Sequence, residues 1–176
     1  MQVHQFTRVI KHLWLDAADT RRAMPPAMLD RLTQRVADSE TRHSGQIRIC
    51  VEAALPMSYL WRQRAVGMPQ LIRQRALMLF GKLRVWDTEH NNGVLVYLLL
   101  AERAIEIVAD RGLTAHVEAE DWQAMSQRMG AAFQAVRFED GLSQAIGDVS
   151  ALLVSHFPRS AGQQQRNELP DQPAIG

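Results

Sequence analysis

The residues best placed for chemistry lie in two short loops. Trp86 to Gly93 reads WDTEHNNG and supplies Asp87, Glu89, Asn91 and Asn92, with Thr88 and His90 between them. Asp110-Arg111-Gly112 adds a further carboxylate and a guanidinium. Carboxylate and amide oxygens crowded on a turn suit a hard cation, and an Asn-Asn-Gly turn lets main-chain carbonyls point inward. Calcium or magnesium is the cation such donors would take. The spacing fits no twelve-residue calcium loop, so a capped, solvated turn accounts for the same residues.

A second feature is charge. Between Ala53 and Trp86 there are six basic residues and no acidic one: Arg62, Arg64, Arg73, Arg75, Lys82 and Arg84. Arg73, Arg75, Lys82 and Arg84, with Arg111, are candidates for contacting anionic lipid, phosphate or an acidic partner. A solvated helix face explains them equally simply. Glu102 to Asp148 holds nine acids against four arginines, so the two sides of the fold are expected to differ in potential.

The elements that must position these loops follow from periodicity. Val94 to Leu100 is an unbroken apolar run opened by Asn91-Asn92-Gly93, and Ala101-Glu102-Arg103 turns the chain into Ala104–Ala109. A strand apolar at every position is buried on both faces, so helices must cover both sides of its sheet. The second strand sets Ile105 and Ile107 against Glu106, as an edge strand does. Gln46 to Ala53 alternates Ile47, Ile49 and Val51 with Arg48, Cys50 and Glu52, a further strand. Helical spacing marks Gln2–Ala18, Ala27–His43, Gln70–Val85, Trp122–Arg137 and the stripe from Leu142 to Phe157. Leu113–Val117 reads as a short extended piece, and Ala54–Met68 carries no clear pattern. The expected architecture is α/β: a small mixed sheet of three to five strands with a central hairpin, covered by helices on both faces. The division is an N-terminal amphipathic helix (1–19), an α/β domain (20–158) and a disordered tail (159–176), the last from its glutamine run and prolines.

Composition narrows the function. A length of 176 residues suits one domain with tails. A net charge of +1 argues against a nucleic-acid binder. The single cysteine, Cys50, allows no internal disulfide and fits a reducing compartment, so no disulfide-linked partner is expected. A mid-strand cysteine without a neighbouring histidine reads as packed and inert. The six histidines never fall at zinc-binding helical spacing. No phosphate-cradling glycine loop occurs, so no organic cofactor is indicated. The N-terminus MQVHQFTRVIKHLWLD lacks a long apolar stretch with a cleavage site, so no signal peptide is expected. Its basic flank and Trp14 suit docking on the domain, on a partner subunit or on a membrane surface. A cytoplasmic protein, at most peripheral at a membrane, is the expected setting.

The Asn-Gly, apolar strand, polar turn, Ile-Glu-Ile strand and terminal Gly-Leu together resemble the TPM domain family, named for three phosphatase-like founders. The resemblance spans roughly Leu29 to Phe157. It implies a divalent-cation site near the Asn-Gly loop and, as in some members, acid phosphatase activity. Phosphoester hydrolysis needs a metal or cationic clamp and an activated water, and Arg111 is the candidate clamp. The chain departs from the family pattern in four places. Asn91 stands where the family commonly has Asp. Ala23-Met24-Pro25-Pro26 replaces an aspartate-rich segment, and Asp110-Arg111-Gly112 replaces a Gly-Tyr-Gly-like turn. The family's usual signal sequence and membrane anchor are not evident. Two functions follow: a binding or assembly module of a bacterial envelope-associated system, working on a protein partner or membrane surface, or a weak metal-dependent phosphatase acting on phosphomonoesters.

Overall fold

The computed structural model describes His12, Leu15, Ala17–Arg64, Val66–Arg159 and Asn167–Gly176. Helices α1 (Ala17–Ala23) and α2 (Pro26–Glu40) lead into strand β1 (Gln46–Glu52). A short helix α3 (Met57–Leu60) continues as a 3-10 turn (Trp61–Arg64) into α4 (Met68–Lys82). The hairpin follows as β2 (Gly93–Leu99), a 3-10 turn (Leu100–Glu102) and β3 (Ala104–Ala109). Helices α5 (Arg111–Thr114), α6 (Ala119–Gln134) and α7 (Phe138–His156) precede a two-residue strand β4 (Ala174–Ile175).

The sheet runs β3-β2-β1-β4, with β2 antiparallel to β3 and β1 parallel to both its neighbours. Every residue of β2 is buried. Val94, Val96 and Leu98 point into a core with Ile47, Ile49 and Val51 of β1 and with α2, α6 and α7. Leu95, Tyr97 and Leu99 point the other way, into a core with Cys50 and the α4 residues Leu71, Ile72, Ala76 and Leu79. This is the mixed sheet with a central hairpin, covered on both faces, that the apolar strand requires. The edge character of β3 also holds, its first three residues being half-buried.

Two local expectations are corrected, while Cys50 packs into the second core as a mid-strand cysteine should. Residues Arg111–Thr114 form a helical turn, because the Asp110 side chain caps it by accepting from the Arg111 amide. The end of the tail is ordered: Asn167–Gly176 docks on the outer edge of β1, pairing Cys50 with Ala174 and Val51 with Ile175. Ser160–Arg166 lie outside the described residues, as does most of the predicted helix Gln2–Ala18. His12 of that helix is buried on the domain. Its Nδ1 accepts from the Leu55 amide at 3.1 Å, so in the neutral ring Nε2 donates to Glu102 at 3.0 Å.

Close backbone approach explains two glycines. A Cβ on Gly93 would collide with the Val85 carbonyl oxygen, and one on Gly112 would lie 2.5 Å from the Asn91 oxygen and 2.7 Å from that of His90. Gly147, in the middle of α7, has nothing within 4 Å. Gly112→Ala is therefore expected to destabilise by about 1–3 kcal/mol through overpacking. Gly147→Ala is expected to stabilise by about 0.5–1 kcal/mol through lower chain entropy in the unfolded state. Urea unfolding of the two variants beside the parent checks both signs.

Candidate functional site

Strands β1 and β2 begin side by side, Gln46 opposite Gly93, and β3 ends there with Ala109 opposite Val94. The two candidate loops therefore meet at one end of the sheet. The Asp110 amide donates to Gly93 O and the Gly112 amide to Asn91 O, both at 2.9 Å. Asn91 takes a left-handed conformation, with φ 53°, which asparagine tolerates better than most residues. Its Oδ1 accepts from Arg111 Nε at 3.1 Å, so the guanidinium lies over the loop.

Asn92 is wholly buried. Its amide donates to Thr88 Oγ1 at 3.0 Å and its Nδ2 to Ser44 Oγ at 3.2 Å. Its own Oδ1 finds no partner among the described residues. Asp110 repeats the pattern: Oδ1 accepts from the Arg111 amide at 2.7 Å, while the buried Oδ2 finds none. A buried oxygen left unmatched costs about 1–3 kcal/mol, and such groups call for an explanation.

The same end of the sheet buries two titratable groups. Glu40 is 1% exposed; its Oε1 accepts from the Ile47 amide at 2.9 Å and its Oε2 is unpartnered. Burial pushes its carboxyl up to about 8. His43, equally buried, meets Gly45 O through Nδ1 at 3.0 Å and leaves Nε2 unpartnered. Burial lowers its imidazole to about 4, so the ring is neutral at pH 7. Among the described residues, all four unmatched buried polar atoms thus sit around the starts of β1 and β2 and the end of β3. Neither Glu40 nor His43 was singled out by the sequence, where both read as ordinary residues of a helix end.

Asp87 and Glu89 go elsewhere. With Thr88, Asn167 and Glu168 they line an open cleft of about 500 Å³. Asp87 pairs with Arg84, and the Glu89 amide donates to Glu168 Oε2 at 3.1 Å. No described contact joins either carboxylate to Asp110, and the described residues contain no group of three or more His, Cys, Asp or Glu arranged to hold a metal. Glu168 carried no sequence signal, being 79 residues from Glu89 in a stretch read as a tail.

The basic stretch is largely matched within the fold. Arg73 binds Glu106 at 2.8 Å and the Ile107 carbonyl at 2.7 Å. Arg75 forks onto buried Glu52, which also accepts from the Tyr97 hydroxyl at 2.8 Å. The guanidinia of Arg62 and Arg75 lie 4.9 and 5.4 Å from the centre of the Tyr59 ring, within cation–π range. Arg84 meets Asp87 and Arg111 meets Asn91. Lys82 is exposed at the end of α4.

Comparison with known proteins identifies a family and a fold relative. The model of the TPM domain family matches residues 18–152. The NMR structure of the BA42 protein from the psychrophilic bacterium Bizionia argentinensis superposes with a TM-score of 0.72 at 22% identity, over 87% of this chain and 95% of that one. No curated protein matches the chain. Among the described residues no helix is long and apolar enough to cross a membrane.

The buried acid makes stability depend on pH. The Glu40 carboxyl titrates near 8 in the fold, against an ordinary value near 4.3 unfolded. Its contribution is complete below the unfolded value and is lost as pH rises towards 8. The loss is on the order of 1.4 kcal/mol for each tenfold difference in proton affinity. His43 acts in the opposite sense, losing stability as pH falls from about 6.5 towards 4. Thermal unfolding of the parent should therefore weaken from pH 6.5 to 8. Glu40→Gln, which keeps an acceptor for Ile47, should remove that slope.

Proposed function

The chain belongs to the TPM domain family, and from that premise we propose that it acts as a binding or assembly module, not as an efficient hydrolase. It holds a divalent cation, calcium or magnesium, where β2 begins and β3 ends. The observation carrying this reading is the pair of buried, unpartnered oxygens, Asn92 Oδ1 and Asp110 Oδ2, on neighbouring strand ends fixed by the Asp110 N to Gly93 O bond. Amide and carboxylate oxygens are what a hard cation takes, and magnesium keeps several waters. These donors fit such a weakly held, water-rich ion. Asp87 and Glu89 stand in the adjoining cleft, where they can favour a cation's approach without ligating it.

The same donor set argues against fast phosphoryl chemistry. A competent site needs several preorganised charges, and each one lost costs about two to three orders of magnitude in rate. The setting of a bacterial envelope-associated system comes from the family. Its contact surface is better sought at exposed Trp61, Met57 and Arg62 than along the paired arginines of α4. The partner is a protein or an anionic membrane surface. Arg111, held beside Asn91 and Asp110, is the one feature favouring a second reading, metal-dependent hydrolysis of phosphomonoesters.

Titrating calcium and magnesium while following amide shifts tests the cation. The largest changes are expected at Asn91–Gly93 and Asp110–Gly112, with Asp110→Ala weakening them at least tenfold. Saturation centred elsewhere, or none below millimolar, overturns the site. Hydrolysis of a generic phosphomonoester should be feeble, and Asp87→Ala with Glu89→Ala should change it little. A robust metal-dependent rate abolished in that double variant would put the hydrolase first.

A further inference from the structure

The sheet order leaves the outer side of β1 as an edge, a row of main-chain groups that would pair with any extended chain. Asn167–Gly176 covers it, beyond residue 152 where the family match ends. The covering segment makes little of a strand. Two residue pairs and the Gly176 N to Val51 O bond at 2.9 Å are its ladder. Most of its length is gripped by two side chains of β1. Gln46 Oε1 accepts from the amides of Glu168 and Leu169 at 2.9 and 3.0 Å. Arg48 Nη1 donates to the carbonyls of Pro170, at 2.6 Å, and Gln172.

These side chains read main-chain groups, so they would grip any extended guest of suitable shape. Selectivity lies in the buried anchors. Leu169 is 6% exposed, in the core with Cys50, Leu55 and Leu60, and Pro173 is buried as well. Prolines at 170 and 173 cannot donate to a ladder and hold the segment extended. Strand addition to an exposed edge, with pockets for spaced side chains, is a recurring mode of peptide recognition.

We propose that the outer edge of β1 is a peptide-binding site for an extended segment of the form Leu-Pro-x-x-Pro-small-β-branched, and that Asn167–Gly176 is its intramolecular occupant. A partner carrying such a segment displaces the chain's own. Displacement also withdraws Glu168 from the cleft beside Asp87 and Glu89. The tether gives the internal segment an effective concentration of about millimolar, so a free peptide competes poorly until the internal copy is weakened.

The probe is a fluorescent synthetic peptide with the sequence of Asn167–Gly176, added to the full chain. Leu169→Asp in the protein removes the anchor of the internal segment and leaves the receiving edge intact. The peptide should then bind at least tenfold more tightly than to the parent, and adding Gln46→Ala with Arg48→Ala should abolish the gain. A folded Leu169→Asp protein that binds the peptide no better than a scrambled one overturns the proposal. Amide hydrogen exchange on the parent decides the matter even if that variant does not fold. The Glu168, Leu169 and Gly176 amides should exchange at least tenfold faster than those of the β1–β2 ladder. Equal protection would mean that the segment opens only when the whole domain unfolds, and the proposal would fail.

Discussion

The rest of the structure depends on β2 having no polar side. Its seven residues are all buried, so a layer must stand on each face, and the sheet can grow sideways only through strands that tolerate the same enclosure. β1 meets that demand in part: its aliphatic residues fill one core and Cys50 enters the other. β3, with Glu106 reaching Arg73, does not, and it closes the sheet on that side. Polar chemistry is thereby excluded from the middle of the molecule and concentrated at the strand ends.

The two ends are treated differently. Where β1 finishes, Glu52 is buried but fully matched: Tyr97 donates from within the sheet, and Arg75 forks onto it from α4. That burial, with the neighbouring Glu52 charge, raises the Tyr97 phenol above its ordinary range, and the cluster acts as a structural clamp. Where β1 starts, Glu40, His43, Asn92 and Asp110 each keep one buried polar atom without a partner among the described residues. In a low-dielectric setting a matched network rigidifies, whereas an unmatched one raises the energy of the fold. The chain carries that cost at the end where the two loops converge, which is where strain tied to function is ordinarily kept.

The sequence made the frame legible and the charges illegible. An apolar run opened by Asn-Asn-Gly specifies a buried strand unaided, and helical stripes such as Leu142 to Phe157 specify their covering layer. Both signals are local. The pairing of Arg75 with Glu52 and of Arg73 with Glu106 spans 23 and 33 residues, so six unopposed basic residues in the chain become a mostly matched face in the fold. The candidate loop was singled out for its oxygen donors, and the structure divides it. Asn91, Asn92 and Asp110 face the sheet end and Asp87 and Glu89 face a cleft. Alternation cannot tell which way successive loop residues turn. The segment from Asn167 escaped notice because proline and glutamine mark a chain that cannot build a core of its own; here it borrows one through Leu169.

Cys50 gives that borrowed core a reporter. The strand that carries it is paired at this residue with Ala174, and its thiol shares the core that receives Leu169. Burial pushes the thiol up to about 12, so at neutral pH almost none of it is the thiolate that reacts with electrophiles. Its inertness is thus a property of the core it shares with α4 and Leu169, not of the sulfur. A lone cysteine that the chain never uses for a bond becomes a clock: the rate at which a thiol reagent consumes it measures how often the core between the sheet and α4 opens.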